Sequence, residues 1–324
     1  MSEYKQLPKK IVNGNKSLLS KLRITGAGLG FLFALFAALF SALPNVIPKF
    51  IMNDTPTDIA PNPLMLVFVI YVANSLLFSP FKKQKKSHHK AVKKTTLILL
   101  VLLGAAETSG TLSYTIGLEE TSATNASILV NSETLFAILL GVMIFREKLG
   151  RQEIFPFILI MVGSVVIPIG SDIHNNNWQL TDFVTGDLLI LLSGFFYCLD
   201  TFIAKKLDDS IKTRHIVHVM SCTGAVMTLI LMLFFQTSFL ISLEDFSIMS
   251  MVGFFGIGVN MMFFVLALRL IGAIRTVLIY STTTVFSIIY SFVFLSETIT
   301  ILNIVSAASV MIGLFALRNR ISSD

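Results

Sequence analysis

Three carboxylates interrupt long apolar runs in this 324-residue chain: Glu107, Glu133 and Asp200. A charge at membrane depth is costly and is by default a functional group. Glu107 lies 13 residues from Lys94 and 13 from Glu120, and Glu133 lies 13 from Glu120 and 13 from Arg146. On two adjacent antiparallel helices, each would sit ~20 Å from either charged end at ~1.5 Å per residue. The spacing therefore predicts one shared depth near the bilayer centre, although it does not say whether the two side chains face each other. If they do, mutual repulsion in a low dielectric leaves one of them holding a proton. Taking up and releasing that proton is what proton coupling requires, so Glu133 and Glu107 are the coupling candidates. Asp200 is about a turn from Lys205 and Lys206, which suits a structural ion pair as well as a site.

Polar side chains in the same runs are the substrate-binding candidates: Asn131, Asp200, Tyr71, Asn74, Tyr114, Tyr197, Asn260, Tyr280, Thr283 and Arg275. Asn131 is two residues before Glu133, so on a regular helix the pair points in different directions. Tyr71 and Asn74 are spaced i, i+3 and share a helix face. Thr283 belongs to the patch Thr282–Thr284, which either lines a cavity or bonds back to its own helix. Arg275 either attracts an anion or marks a cytosolic helix end. The alternative for any such group is a hydrogen bond between helices, worth about 0.6–2 kcal/mol.

The elements that position these residues are apolar helices. Hydrophobic residues make up 54% of the chain and charged ones 14%, and mean hydropathy is +0.79. A bilayer, not a soluble core, accommodates that composition, and ~20 apolar residues cross it. Such runs fall at about 26–50, 62–79, 95–118, 122–145, 153–170, 184–204, 213–235, 247–268, 273–296 and 299–317. Glu119 and Glu120, followed by Thr121 and Ser122, mark a tight hairpin between the third and fourth. If the helices alternate from a cytosolic N-terminus, every one of the 25 Lys and Arg residues except Lys49 is cytosolic, as the positive-inside rule requires. The net charge of +6 thus reflects membrane orientation rather than nucleic-acid binding. The fold class expected is all-α integral membrane: ten transmembrane helices in two inverted five-helix repeats, with both termini cytosolic. Residues 1–23 form a basic tail, 24–170 the first repeat, 171–183 an outer loop, 184–318 the second repeat and 319–324 a short tail. Trp178 suits an interfacial anchor in the outer loop.

The repeat is visible in the residues. Segment 121–163 aligns without gaps onto 271–313, matching Ala123 with Ala273, Phe136 with Phe286, Glu147 with Glu297 and Gly163 with Gly313. With five helices per half, the second half enters the membrane inverted, an arrangement found in many secondary transporters. Two stretches carry a family resemblance. Ala267-Leu-Arg-Leu-Ile-Gly-Ala-Ile-Arg275 leads into the ninth helix and Phe294-Leu-Ser-Glu-Thr298 closes it, with Ser122-Ala-Thr-Asn-Ala126 and Phe145-Arg-Glu-Lys-Leu149 as counterparts. This resembles the drug/metabolite transporter superfamily, in its EamA-type branch, over nearly the whole chain. The resemblance implies export of small metabolites, amino acids or drugs in exchange for protons. Family members often carry a proline in the middle of the fourth and ninth helices. The matching positions here are Thr134 and Thr284, so neither helix has a proline kink.

These readings give a transporter of a small solute, with protons and the lipid bilayer as partners, no cofactor, and the plasma membrane as location. An uncoupled exchanger or facilitator of nucleotide-sugar type is the alternative within transport; a non-transporting receptor would carry larger soluble loops. No HExxH motif or pair of membrane-depth aspartates supports an embedded enzyme, and no GxxxxGK[ST] loop supports ATP hydrolysis. His88 and His89 lie in a basic loop without partner ligands, which suits contact with anionic lipid rather than metal. Cys198 and Cys222 read as small buried hydrophobes. Gly26 and Gly30 form a GxxxG pattern, which makes a homodimer an expectation.

Overall fold

The computed structural model describes residues 26–54, 61–79, 94–145, 154–170, 182–207, 211–272, 276 and 279–321, and the regular structure among them is entirely helical. Helix α1 (Gly26–Asp54) continues through Pro44 and Pro48. It is followed by α2 (Pro63–Leu77), α3 (Lys94–Glu120), α4 (Ala123–Leu129) and α5 (Ser132–Phe145). Helix α6 (Ile154–Met161) runs on through a π turn at Val162–Val166. Then come α7 (Asp182–Lys205), α8 (Thr213–Phe234) and α9 (Leu243–Val252). A π stretch, Gly253–Val259, joins α9 to α10 (Asn260–Ile271), and α11 (Thr283–Leu295) and α12 (Ile301–Ile321) follow. The runs Gly28–Asn53, Lys94–Glu120, Thr185–Ala204, Thr213–Phe234 and Leu243–Ile271 are long and apolar enough to cross a membrane. Large apolar side chains such as Val226, Ile230, Leu233 and Phe234 on α8 point outward, as lipid-facing residues do. The tail 1–25, the basic loop with His88 and His89, Glu147, Trp178 and Arg275 lie outside the described residues.

Packing follows one rule in both halves. The first helix of each half packs along the third of the other: α1 on the π stretch and α10, and α7 on α3. The second helices, α2 and α8, pack together, as do the fifth, α6 and α12. Helix α11 lies against α1, and α5 lies against α7. Exchanging the halves leaves this pattern unchanged. The matched glycines Gly163 and Gly313 sit at reciprocal contacts. A Cβ on Gly163 would come within 2.8 Å of the Ser306 carbonyl oxygen, and one on Gly313 within 2.9 Å of the Pro156 carbonyl oxygen.

A reciprocal backbone approach joins α3 to α7. A Cβ on Gly117 would lie 2.7 Å from the Gly186 carbonyl oxygen, and one on Gly186 would lie 2.7 Å from the Gly117 oxygen. Backbone meets backbone there, so nothing flexible can yield. Gly186→Val is expected to cost about 1–3 kcal/mol or more, seen as a lower unfolding temperature of the purified protein. An unchanged temperature would mean that the two helices are not in contact at these glycines. Gly30 is used in the same way: its Cβ would lie 2.5 Å from the Ile271 side chain of the same chain. At Gly30, α1 therefore packs closely on α10 of the same chain.

Two expected helices are broken. The run 122–145, read as one helix, splits at Val130–Asn131, and the ninth run breaks at Ser281–Thr282. The breaks lie within one residue of equivalent repeat positions and contain no proline. Asn131 Nδ2 donates to the Ser127 and Ile128 carbonyls at 3.2 and 2.9 Å, taking acceptors that a continuing helix would use. The backbone tightens to i→i−3 bonds from Glu133 to Val130 and from Thr134 to Asn131. At the second break, Thr282 Oγ1 donates to the Ile279 carbonyl and Thr283 Oγ1 to the Tyr280 carbonyl, both at 2.6 Å. The two breaks meet: Asn131 Nδ2 donates to Thr284 Oγ1 at 2.8 Å, and Thr284 Oγ1 lies 3.2 Å from the Ser127 carbonyl that accepts from it.

Candidate functional site

Between the broken helices lies a cavity of about 130 Å³. Its wall combines α1, α3, the α4–α5 break, α7, the π stretch with α10, and the start of α11. A regular buried helix keeps its own backbone polar groups to itself. Breaks and π turns release them, and they are tolerated at depth where they border protein or water rather than lipid.

All three apolar-run carboxylates line this cavity. Glu107 comes from the middle of α3 and Glu133 from the first turn of α5. They face the same space and lie close enough to act on each other electrostatically. Asp200, from α7, joins them and feels both. Thr201 Oγ1 donates to Glu133 Oε1 at 3.0 Å. Asp200 makes no ion pair with Lys206 among the described residues, and its Oδ1 is buried without a hydrogen-bond partner. Five residues from the end of α7, Asp200 lines the cavity.

The other candidates divide. Asn131, Tyr114, Tyr197, Asn260, Tyr280 and Thr283 line the cavity. Asn131 and Glu133 share a wall after all, because the break between them replaces the helical rotation that would have separated them. Tyr280 OH donates to Ser41 Oγ at 2.6 Å and Tyr114 OH to the Asn45 carbonyl at 3.2 Å, tying the cavity wall to α1. Tyr71 and Asn74 do not line the cavity. Both are fully buried. Tyr71 OH bonds Thr111 Oγ1 at 2.9 Å, and Asn74 Nδ2 donates to Ser221 Oγ at 2.6 Å. Their shared helix face exists, but it joins α2 to α3 and α8. Tyr71 reaches the cavity only through Thr111, which lines it. Arg275 lies outside the described residues.

Several lining residues escaped the sequence. Ser41, Pro44 and Asn45 form one face of α1, and their i, i+3, i+4 spacing was the available signal. Thr201 and Phe264 carried none beyond their neighbours. Away from the cavity, Glu297 was read only as a family mark. Its carboxylate accepts the Ala123 and Thr124 amides at 2.8 and 2.9 Å and Thr124 Oγ1 at 2.7 Å. Lys49, the exception to the charge rule, donates through Nζ to the Leu118 carbonyl at 3.0 Å and to the Thr121 carbonyl. It closes the carbonyl end of α3. Cys198 is buried, Cys222 partly so, and neither is in a disulfide.

Comparison with known proteins agrees with this architecture. A protein of Methanothermobacter thermautotrophicus described as an uncharacterized transporter is 32% identical over 206 residues, 64% of this chain. The match spans 60% of that relative's length. A solved protein crystal structure superposes with a TM-score of 0.62 over 90% of this chain and 98% of its own, at 13% identity, which establishes a shared fold alone. The model of the EamA-like transporter family matches twice, over residues 28–168 and 184–318. The chain belongs to the EamA-like transporter family, and it is a multi-pass membrane protein.

Proposed function

We propose that this protein is a proton-coupled secondary transporter that exports a small solute across the plasma membrane. The halves 24–170 and 184–318 would form ten spans of inverted topology, with both termini cytosolic. They would rock about the central cavity to expose it to one side at a time. The observation that carries this reading is the convergence of Glu107, Glu133 and Asp200 on one cavity built by both halves at their helix breaks. Three carboxylates in a low-dielectric space repel one another. Their number of protons therefore changes readily when something else in the cavity carries charge, which is the basis of coupling. The packing pattern that survives exchange of the halves supports the repeat, as do the two matches to the family model.

Proton flux in proteoliposomes tests this. With an imposed pH gradient, pools of amino acids, sugars, organic cations and nucleotide derivatives are added in turn. One pool is expected to dissipate the gradient. Isotope exchange without any proton movement would instead establish an uncoupled exchanger or facilitator.

A further inference from the structure

We propose that the cavity binds a small protonated amine through N–H donation to the side-chain oxygens of Asp200 and Asn260. This deepens the transport reading, on which it rests, by naming the class of solute.

Among the described residues that line the cavity, three carry carboxylates and none is Lys, Arg or His. Uncompensated negative charge in such a space is relieved in two ways, by protons or by a bound cation. A phosphate or carboxylate solute would add to the repulsion.

Asp200 Oδ1 and Asn260 Oδ1 are both buried without a hydrogen-bond partner, and both residues line the cavity. The orientation of the Asn260 amide is fixed by its other end. Nδ2 donates to the Gly256 carbonyl at 3.0 Å and to Tyr280 OH at 3.3 Å. Its oxygen is thus left as an acceptor. Two buried, unsatisfied acceptors on side chains that line one space call for a ligand that brings N–H or O–H donors. Charge and donors together describe a primary or secondary ammonium. A quaternary ammonium supplies charge without donors, and an alcohol supplies a donor without charge.

Tyr197, Phe264 and Tyr280 give the wall aromatic surface. The Phe264 and Tyr280 rings lie 4.8 Å apart at 62°. Aromatic faces accept an ammonium and its attached methylenes. The volume of about 130 Å³ is near the ~150 Å³ of a cavity that takes up benzene, so the solute is small.

The test uses the purified full chain in lipid nanodiscs and four probes of similar carbon skeleton: butylamine, butyltrimethylammonium, 1-butanol and butyrate. Binding is read by calorimetry in weakly buffered solution. Butylamine is expected to bind more tightly than each of the others by about tenfold or more, the scale of a charge-assisted hydrogen bond. Its binding is expected to release protons, because a carboxyl that gives up its proton then pairs with the ammonium. Asp200→Asn should abolish the preference for butylamine over butanol. Equal or tighter binding of butyrate or butanol by the unaltered protein would overturn the proposal, whether or not the variant folds. So would an unchanged preference in a folded Asp200→Asn variant. The two readings also fail separately. Proton-coupled flux of an anionic solute without amine binding would overturn the amine and leave the transporter. Amine binding without flux of any solute would uphold the amine and overturn the transporter.

Discussion

Glu133→Gln is expected to abolish proton-coupled flux while leaving the protein folded. Glutamine keeps the volume and one carbonyl oxygen, so Oε1 still accepts from Thr201 Oγ1, now 3.0 Å away. What it removes is the group that can gain and lose a proton beside Glu107 and Asp200. Removing a positioned proton-transfer group typically lowers a rate by about 100-fold or more, and coupled flux should fall on that scale. Glu107→Gln is expected to be milder. Glu107 lies on the unbroken α3, whereas Glu133 sits in the first turn after a break that joins both halves. Flux in proteoliposomes, normalised to folded protein, checks both. Unchanged flux in a well-folded Glu133→Gln variant would remove Glu133 from the mechanism and leave it a packing role.

How far the sequence carried this site depends on which coordinate is asked for. Depth along a helix is linear in residue number, so the 13-residue spacings predict one level for Glu107 and Glu133. Rotation about the helix axis is not linear once a helix breaks. For Asn131 and Glu133 the regular 100° step gave the wrong answer, because the Asn131 side chain takes the Ser127 and Ile128 carbonyls and the regular helix is interrupted between them. The signal for that break was present in the residues themselves. Asn131 and Thr282–Thr284 are groups able to compete for backbone acceptors, and they accompany breaks that contain no proline. Tyr71 and Asn74 show the opposite error. Their shared face was correctly inferred, but a shared face does not reveal what it faces, and here it faces α3 and α8. The Asp200 placement likewise depends on a cavity wall assembled from helices up to 159 positions away, Ser41 included.

Glu297→Ala is expected to produce the largest loss of stability away from the cavity. The first amides of α4 have no partner within their own helix. Ser122 Oγ takes the Asn125 amide at 3.1 Å. The Glu297 carboxylate takes the Ala123 and Thr124 amides and the Thr124 hydroxyl, and its charge also suits a helix N-terminus. Hydrogen bonds to a charged group contribute ~1.5–3 kcal/mol each but do not sum, so the alanine variant should lose about 3 kcal/mol and roughly 5–10 °C in unfolding temperature. Exposure of Cys198, buried in the folded state, to a thiol-reactive dye reports that transition. Glu297→Gln should recover part of the loss, since one oxygen remains an acceptor while its NH₂ opposes the second donor. The contact also crosses between the halves, from the end of α11 to the start of α4. If it merely caps a helix, the alanine variant unfolds at lower temperature yet transports with an unchanged KM. If it opens during the transport cycle, losing about 3 kcal/mol from one conformation shifts the balance between conformations by ~100-fold, and KM must change along with the unfolding temperature. A lowered unfolding temperature with KM unaltered would assign Glu297 to the static frame, and a change in both would place it on a surface that parts as the cavity changes sides.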